Sequence, residues 1–348
     1  MSSSKIIFLE LVKAGLWEQK VRLLPYDKAD YSEVLQLAQE QSVVGLVAAG
    51  VNHADAVPYE TKLKFLGLAS QIQQRNEAMN CFIAELAQKM QSAGITSILV
   101  KGQGVAQCYE RPLWRTSGDV DLLFDAENYE KAKRLLLPMS SKRKEEGRYS
   151  KHIGLSIGPW YVELHGRLPT GLSARVDKEV DAVQEDTFEN KHIRVWNNGG
   201  TDVALPDADN DVFFVFTHFI KHFYKEGMSL RQICDWCRLL WTYKDSLNRG
   251  LLESRIHRAG LLQEWKAFAA LAVDYLGIPA EEMPLYDNND RWHKKGEKII
   301  NVIMEGTHGK MRDTLYAARI FPCNTLRFLP AIFFNVNLLK VKERILKI

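Results

Sequence analysis

The chain has 348 residues, 46% of them hydrophobic and 26% charged, and its 46 Lys plus Arg against 43 Asp plus Glu leave a formal net charge of +3. That length allows two or three packed units with a substantial core, and so balanced a charge gives no argument for a long nucleic acid as partner. Five cysteines (Cys81, Cys108, Cys234, Cys237 and Cys323) are too few for a disulfide framework at this size and fit a reducing cytoplasm.

At the N-terminus the apolar patch around Ile6 to Leu9 is too short for a signal segment and no small-residue cleavage site follows, so a cytoplasmic location is expected rather than export. Residues 5 to 93 read as helical. Leu35, Leu37 and Ala38, then Val43, Val44, Leu46 and Val47, then Phe65, Leu66 and Leu68, and finally Met79, Phe82, Ile83, Leu86 and Met90 recur at helical spacing. Pro25 and Pro58 punctuate this bundle, and its last helix, 61 to 93, stops at the capping Gly94.

From Ile95 the pattern changes to short strands with intervening helices. Ile95 to Val100 reads as a buried strand, and Lys101-Gly102 at its end opens a short helix. Gly118-Asp119-Val120-Asp121-Leu122-Leu123-Phe124 reads as a second strand, in which Asp119 and Asp121 share one face while Val120 and Leu122 point into a core. Two carboxylates about 7 Å apart along a strand make a hard-oxygen site suited to Mg²⁺. A helix from Ala126 to Leu137 ends at Pro138, and the charge run 142 to 147 is a solvated loop or an edge strand. Ser150 to Ile157 and Tyr161 to Leu168 then alternate on either side of Gly158-Pro159, a hairpin that sets Glu163 beside the acidic strand and on the same side as Tyr161 and His165.

Beyond 207 the chain returns to helix. Asp211 to Tyr224 carries His218 and His222, four apart on one face, and Ser229 with Gln232 forms a capping box for a helix bearing Asp235. Cys234 and Cys237 on that helix lack a preceding strand and a second cysteine pair, so they read as packed side chains rather than a redox or zinc site. Further helices are expected at 251 to 276, 291 to 305 and 311 to 319. Phe328 to Leu339 is apolar but contains Pro330 and falls short of the roughly 20 residues that span a bilayer. The basic tail from Lys340 to Lys347 offers a peripheral contact with an anionic membrane, against which stands a docked C-terminal helix.

The run Lys101-Gly102-Gln103 followed by Asp119-Val120-Asp121 resembles the DNA polymerase beta-like nucleotidyltransferase superfamily: a hydrophobic strand, a glycine, a short helix, an Asp-hydrophobic-Asp strand and a third carboxylate on a later strand. Within it the chain is similar to a bacterial family of uncharacterised nucleotidyltransferases in having Lys101 before the glycine, Arg115 before the acidic strand, and Glu163-Leu164-His165. A helix with a His-x-x-x-His pattern and a following Asp-bearing helix belong to the same resemblance, here His218, His222 and Asp235. Two departures stand out: Gln103 replaces the usual Gly or Ser that lines the triphosphate, and the spacer before the acidic strand is longer.

The resemblance implies an α+β fold, a small mixed-sheet nucleotidyltransferase core at 94–205 between a helical N-terminal part at 1–93 and a helical C-terminal part at 206–348. It implies transfer of a nucleoside monophosphate from a nucleoside triphosphate to an acceptor hydroxyl, with Asp119, Asp121 and Glu163 catalytic and holding two Mg²⁺ ions. Glu163 either ligates a metal or takes the acceptor's proton, or else forms a surface ion pair. Lys101, Gly102, Gln103, Arg115 and His165 are the nucleotide-binding candidates, with Lys101 and Arg115 neutralising phosphate charge unless they are ordinary surface cations. His165 binds substrate, orients Glu163, or is a structural histidine. His218, His222 and Asp235 line the opposite wall of the cleft or are buried polar packing. The acceptor is a small molecule or a protein in preference to a nucleic acid. Two other readings remain: a non-catalytic nucleotide-binding module of the same fold, and a metal-dependent glycosyltransferase using the Asp-x-Asp.

Overall fold

The computed structural model describes residues 2–19, 30–54, 57–144, 146, 151–306 and 310–345. Pro25, Gly147, Ser150 and the end of the basic tail lie outside these residues. The chain is mostly helical, with a small mixed sheet at its centre.

Four helices come first: α1 (Ser3–Trp17), α2 (Tyr31–Glu40), α3 (Val44–Asn52) and α4 (Tyr59–Ser92). Glycine sets how closely α1 and α3 pack. A Cβ on Gly15 would lie 1.9 Å from the Leu46 carbonyl oxygen, and one on Gly50 would lie 2.0 Å from that of Leu11, so the two backbones touch directly. Helix α4 starts after Pro58 and ends at Ala93, and Gly94 turns the chain with φ +66°.

The sheet follows. Strand β1 (Ile98–Val100) leads into the short α5 (Gly102–Ala106), and β2 (Val120–Leu123) into α6 (Ala126–Leu136), which Asp125 caps through the Asn128 N–H. Then come the edge strand β3 (Lys142–Arg143), β4 (His152–Ile157) and β5 (Trp160–His165). Their order is β1-β2-β5-β4-β3, with β2 and β5 parallel and the other pairs antiparallel. Alternation divides the faces as expected. Leu99, Val120, Leu122, Val162 and Leu164 pack on Met79, Ile83, Leu86 and Met90 of α4 and on Tyr129, Ala132 and Leu136 of α6. The opposite face carries Asp121, Glu163 and His165 and looks toward the C-terminal helices.

Three elements go beyond the sequence expectations: α7 (Ala174–Glu189), and the hairpin of β6 (Ile193–Asn198) and β7 (Thr201–Pro206), which turns at Gly199 and Gly200 with φ +59° and +92°. The remaining helices are α8 (Ala208–Lys225), α9 (Leu230–Thr242), α10 (Arg249–Ala259), α11 (Leu262–Leu271), α12 (Asp290–Glu305), α13 (Lys310–Ile320) and α14 (Pro322–Ile345). The single helix expected at 251 to 276 is broken by Gly260 in the left-handed conformation, which ends α10. The capping box at Ser229 and Gln232 forms as expected.

One buried apolar cluster runs through α1 to α4, takes Ile98, Val100 and Leu123 from the sheet, and continues through α7 to α14. Phe328 and Ile332 join it, so the start of α14 is docked on the body. All five cysteines are free, and Cys234 and Cys237 are buried on α9 with thiol pKa values raised by burial. Among the described residues no helix is long and apolar enough to cross a membrane.

Candidate active site

Strand register assembles the site. Val100 on β1 pairs with Asp121 on β2, Asp121 with Glu163 on β5, and Glu163 with Gly154 on β4; one step along, Leu123 pairs with His165 and His165 with His152. Two neighbouring rows of the sheet thus carry the acids and the imidazoles. Asp119, Asp121 and Glu163 each offer a carboxylate oxygen, all within 4.8 Å of one another, and so do the donor atoms of His152, Glu163 and His165.

Behind the acids, the chain turns sharply between β1 and α5. Lys101 takes φ +59° and Gly102 φ +41°, and a Cβ on Gly102 would stand 3.4 Å from the Asp119 carbonyl oxygen. A non-glycine residue at positive φ is uncommon, and here it swings Lys101 Nζ to 2.9 Å from Asp121 Oδ1. His165 Nε2 lies 2.8 Å from the same oxygen and 3.4 Å from Glu163 Oε2. His152 Nε2 lies 3.2 Å from Glu163 Oε2, with its ring stacked on that of His165 at 4.7 Å between centroids.

Charge follows from this crowding. Burial raises the pKa of Asp119, as does repulsion from Asp121. Asp121 is 3% exposed, and although burial works against its charge, Lys101 and His165 hold its pKa down at about 2. Glu163 is also lowered: burial opposes its charge, and His152 and His165 outweigh that opposition. For His165 burial favours the neutral ring, but its bonds to Asp121 and Glu163 raise the pKa overall.

These groups line a cleft of about 410 Å³, closed on the far side by α8 and α9. Phe214, Thr217, His218, Lys221 and His222 of α8 and Arg231, Gln232 and Asp235 of α9 face it. His218 and His222 approach to 3.1 Å between Nε2 atoms, and burial pushes both pKa values down, that of His218 strongly.

Two sequence candidates sit differently from expectation. Arg115 is no surface cation: its fork grips Asp235, Nε to Oδ1 at 2.6 Å and Nη2 to Oδ2 at 2.7 Å, while Tyr109 donates to Oδ1 at 2.7 Å. Both partners border the cleft, but the guanidinium is already committed to a carboxylate. Gln103, the departure from the glycine or serine pattern, does not line the cleft at all. It is 1% exposed and turns inward, donating to Asn76 Oδ1 at 2.8 Å and Ser117 Oγ at 3.2 Å. Asn76 in turn donates to the carbonyls of Leu113 and Arg115 at 2.8 Å each, so Gln103 belongs to a buried net that fixes the segment before the acidic strand.

Other cleft residues went unnoticed in the sequence. His152 stands on β4 where the hairpin signal hid it. Arg231 donates through Nη1 to the Thr116 carbonyl at 2.7 Å and keeps a buried Nε with no hydrogen-bond partner among the described residues. Lys221 could have been found one helical turn from His218.

The sequence matches no curated protein at a significant level. Among solved structures, an antigenic nucleotidyltransferase-like protein from Paracoccidioides brasiliensis is similar over 53% of this chain and 87% of its own, at 15% identity and a TM-score of 0.34. A family model described as "Uncharacterised nucleotidyltransferase" matches residues 27–277, well over half of the chain and inclusive of the whole acidic site. The chain belongs to that family of uncharacterised nucleotidyltransferases.

Proposed function

We propose that the protein is a Mg²⁺-dependent nucleotidyltransferase that moves a nucleoside monophosphate from a nucleoside triphosphate to an acceptor hydroxyl and releases pyrophosphate. The observation that carries the reading is the convergence of Asp119, Asp121 and Glu163 within 4.8 Å on one wall of the cleft. Three oxygen donors at this spacing fit the hard-ligand chemistry of Mg²⁺. Two such ions bound there would supply positive charge that lowers the acceptor hydroxyl's pKa and stabilises the departing pyrophosphate.

The chain's own groups do the rest. Asp119 and Asp121 hold the cations, and Glu163 completes the set beside the acceptor. His165 fixes the Asp121 and Glu163 carboxylates. Gly102 admits phosphate oxygens close to the backbone, where a larger residue would be strained at φ +41°. Arg231 neutralises phosphate charge, taking the part that the sequence suggested for Arg115, while Lys101, paired with Asp121, adds its positive charge beside the acids. His218, held neutral by burial, lines the cleft from α8; its strongly lowered pKa makes it a weak base, so its part is to hydrogen-bond the substrate rather than to take a proton. A cleft of about 410 Å³ is of the size that takes small ligands, which favours a small molecule or a single protein side chain as acceptor. The free cysteines accord with a cytoplasmic setting.

The test is Asp121→Asn. With labelled nucleoside triphosphates and a panel of hydroxyl acceptors, the wild type should release pyrophosphate and the variant should lose at least about a hundredfold in rate with its fold intact. Turnover at the wild-type rate in the variant would sink the reading.

A further inference from the structure

Glu163 has a second set of neighbours besides the aspartates. Two imidazoles also present Nε2 to one of its oxygens, His152 at 3.2 Å and His165 at 3.4 Å from Oε2; His165 Nε2 shares its proton with Asp121 Oδ1 at 2.8 Å as well, so an ion taken here displaces that proton. His152 Nε2 is shut away from solvent and, beyond its approach to Glu163, makes no hydrogen bond among the described residues. A buried polar nitrogen left without a hydrogen bond is costly and calls for an explanation. The His152 side chain also borders the cleft that holds the acids.

We infer that His152, Glu163 and His165 form a second, nitrogen-rich cation site that takes a borderline transition ion of the Zn²⁺ class, with Glu163 shared between it and the all-oxygen aspartate site. The spacing fits. An ion with ligand bonds of roughly 2.0–2.1 Å in tetrahedral geometry spaces its donor atoms about 3.3 Å apart, and the two imidazole-to-carboxylate distances fall on either side of that value. The donor set fits as well, because imidazole nitrogen selects Zn²⁺ and its neighbours while carboxylate and carbonyl oxygen select Mg²⁺. The two cation sites would therefore differ in kind, one hard and exchangeable, the other softer and tighter.

This inference rests on the reading of Glu163 as a metal ligand, so the experiment separates the two. Calorimetry with Zn²⁺ alone and Mg²⁺ alone is run on the wild type, His152→Ala and Asp119→Ala, and pulsed EPR of bound Cu²⁺, an imidazole-seeking stand-in for Zn²⁺, reports ¹⁴N coupling. Expected are a Zn²⁺ affinity at least tenfold weaker in His152→Ala with Mg²⁺ affinity within twofold of wild type, the converse pattern in Asp119→Ala, and nitrogen coupling in the wild type that falls in His152→Ala. His152→Gln serves as a second variant that keeps the side-chain volume. Zn²⁺ binding unaffected by both His152 variants, or a Cu²⁺ signal without nitrogen coupling, would overturn the site. Loss of Mg²⁺ binding alone would instead count against the proposed function and leave the nitrogen site standing.

Discussion

Removing the Asp235 carboxylate should destabilise the protein far more than a surface charge would. Asp235 is 6% exposed and accepts three hydrogen bonds, two from the Arg115 fork and one from Tyr109. At an effective dielectric of about 20, two unit charges some 4 Å apart attract by about 4 kcal/mol. Taking away one partner of such a buried pair costs about 3–5 kcal/mol, because the other charge is left without compensation. Here the penalty is compounded, since Arg231 already has its pKa lowered by burial and by the positive charge of Arg115. Against a total stability of about 5–15 kcal/mol, Asp235→Ala should move the urea midpoint down by about a fifth or more. The double variant Arg115→Met/Asp235→Leu removes both charges and should recover most of the loss. A loss below about 1 kcal/mol in Asp235→Ala, or a double variant no better than the single one, would refute the assignment of Arg115 to a structural pair.

Three further outcomes follow from the same structure. Gly50→Ala forces a Cβ to within 2.0 Å of the Leu11 carbonyl and should cost about 3 kcal/mol or more of stability by thermal denaturation; a variant as stable as wild type would contradict the direct contact of α1 and α3. Arg231→Ala should weaken nucleoside triphosphate binding about tenfold to a hundredfold by calorimetry, whereas Arg115→Ala should act mainly on stability; the reverse pattern would return the phosphate role to Arg115. Glu264 is fully buried, accepts from Tyr224 and Asn324, and has its pKa raised by burial. The folded state therefore holds that proton more tightly than the unfolded chain, and the stabilisation is present below the ordinary value of 4.5 and lost as pH rises through the raised one. Glu264→Gln should flatten that part of the profile, so that the variant compares better with wild type at pH 8 than at pH 4; a difference independent of pH would contradict the shift.

The acidic site was legible because strands write their faces as alternation. Asp119, Asp121 and Glu163 fall on one side and Val120, Leu122 and Leu164 on the other, and the Gly158-Pro159 turn fixed which strands came together. Its helical cover was readable in outline from His218, His222 and Asp235. The hairpin of β6 and β7 was missed although Gly199-Gly200 marks its turn, because β6 is half exposed and carries Arg194 and Trp196 where an apolar alternation would be sought. Helix α7 was missed although Val176, Val180 and Val183 recur on one face after the Ser173 cap. What no local pattern contains is the partnership of residues far apart. Arg115 and Asp235 stand 120 positions apart in the chain, and the inward turn of Gln103 depends on Asn76 from α4. His152 gains meaning only once β4 pairs with β5 and stacks it on His165.

The central claim is a metal-dependent nucleotide site on the acidic strand, and calorimetry tests it most directly. Each of the four nucleoside triphosphates is titrated with and without Mg²⁺ into the wild type and into Asp119→Ala/Asp121→Ala, with circular dichroism as the check on folding. The account predicts binding of at least one nucleotide that requires Mg²⁺ and disappears in the double variant. Binding that is indifferent to Mg²⁺ and to the loss of both aspartates, or no binding of any nucleotide to the wild type, would contradict it.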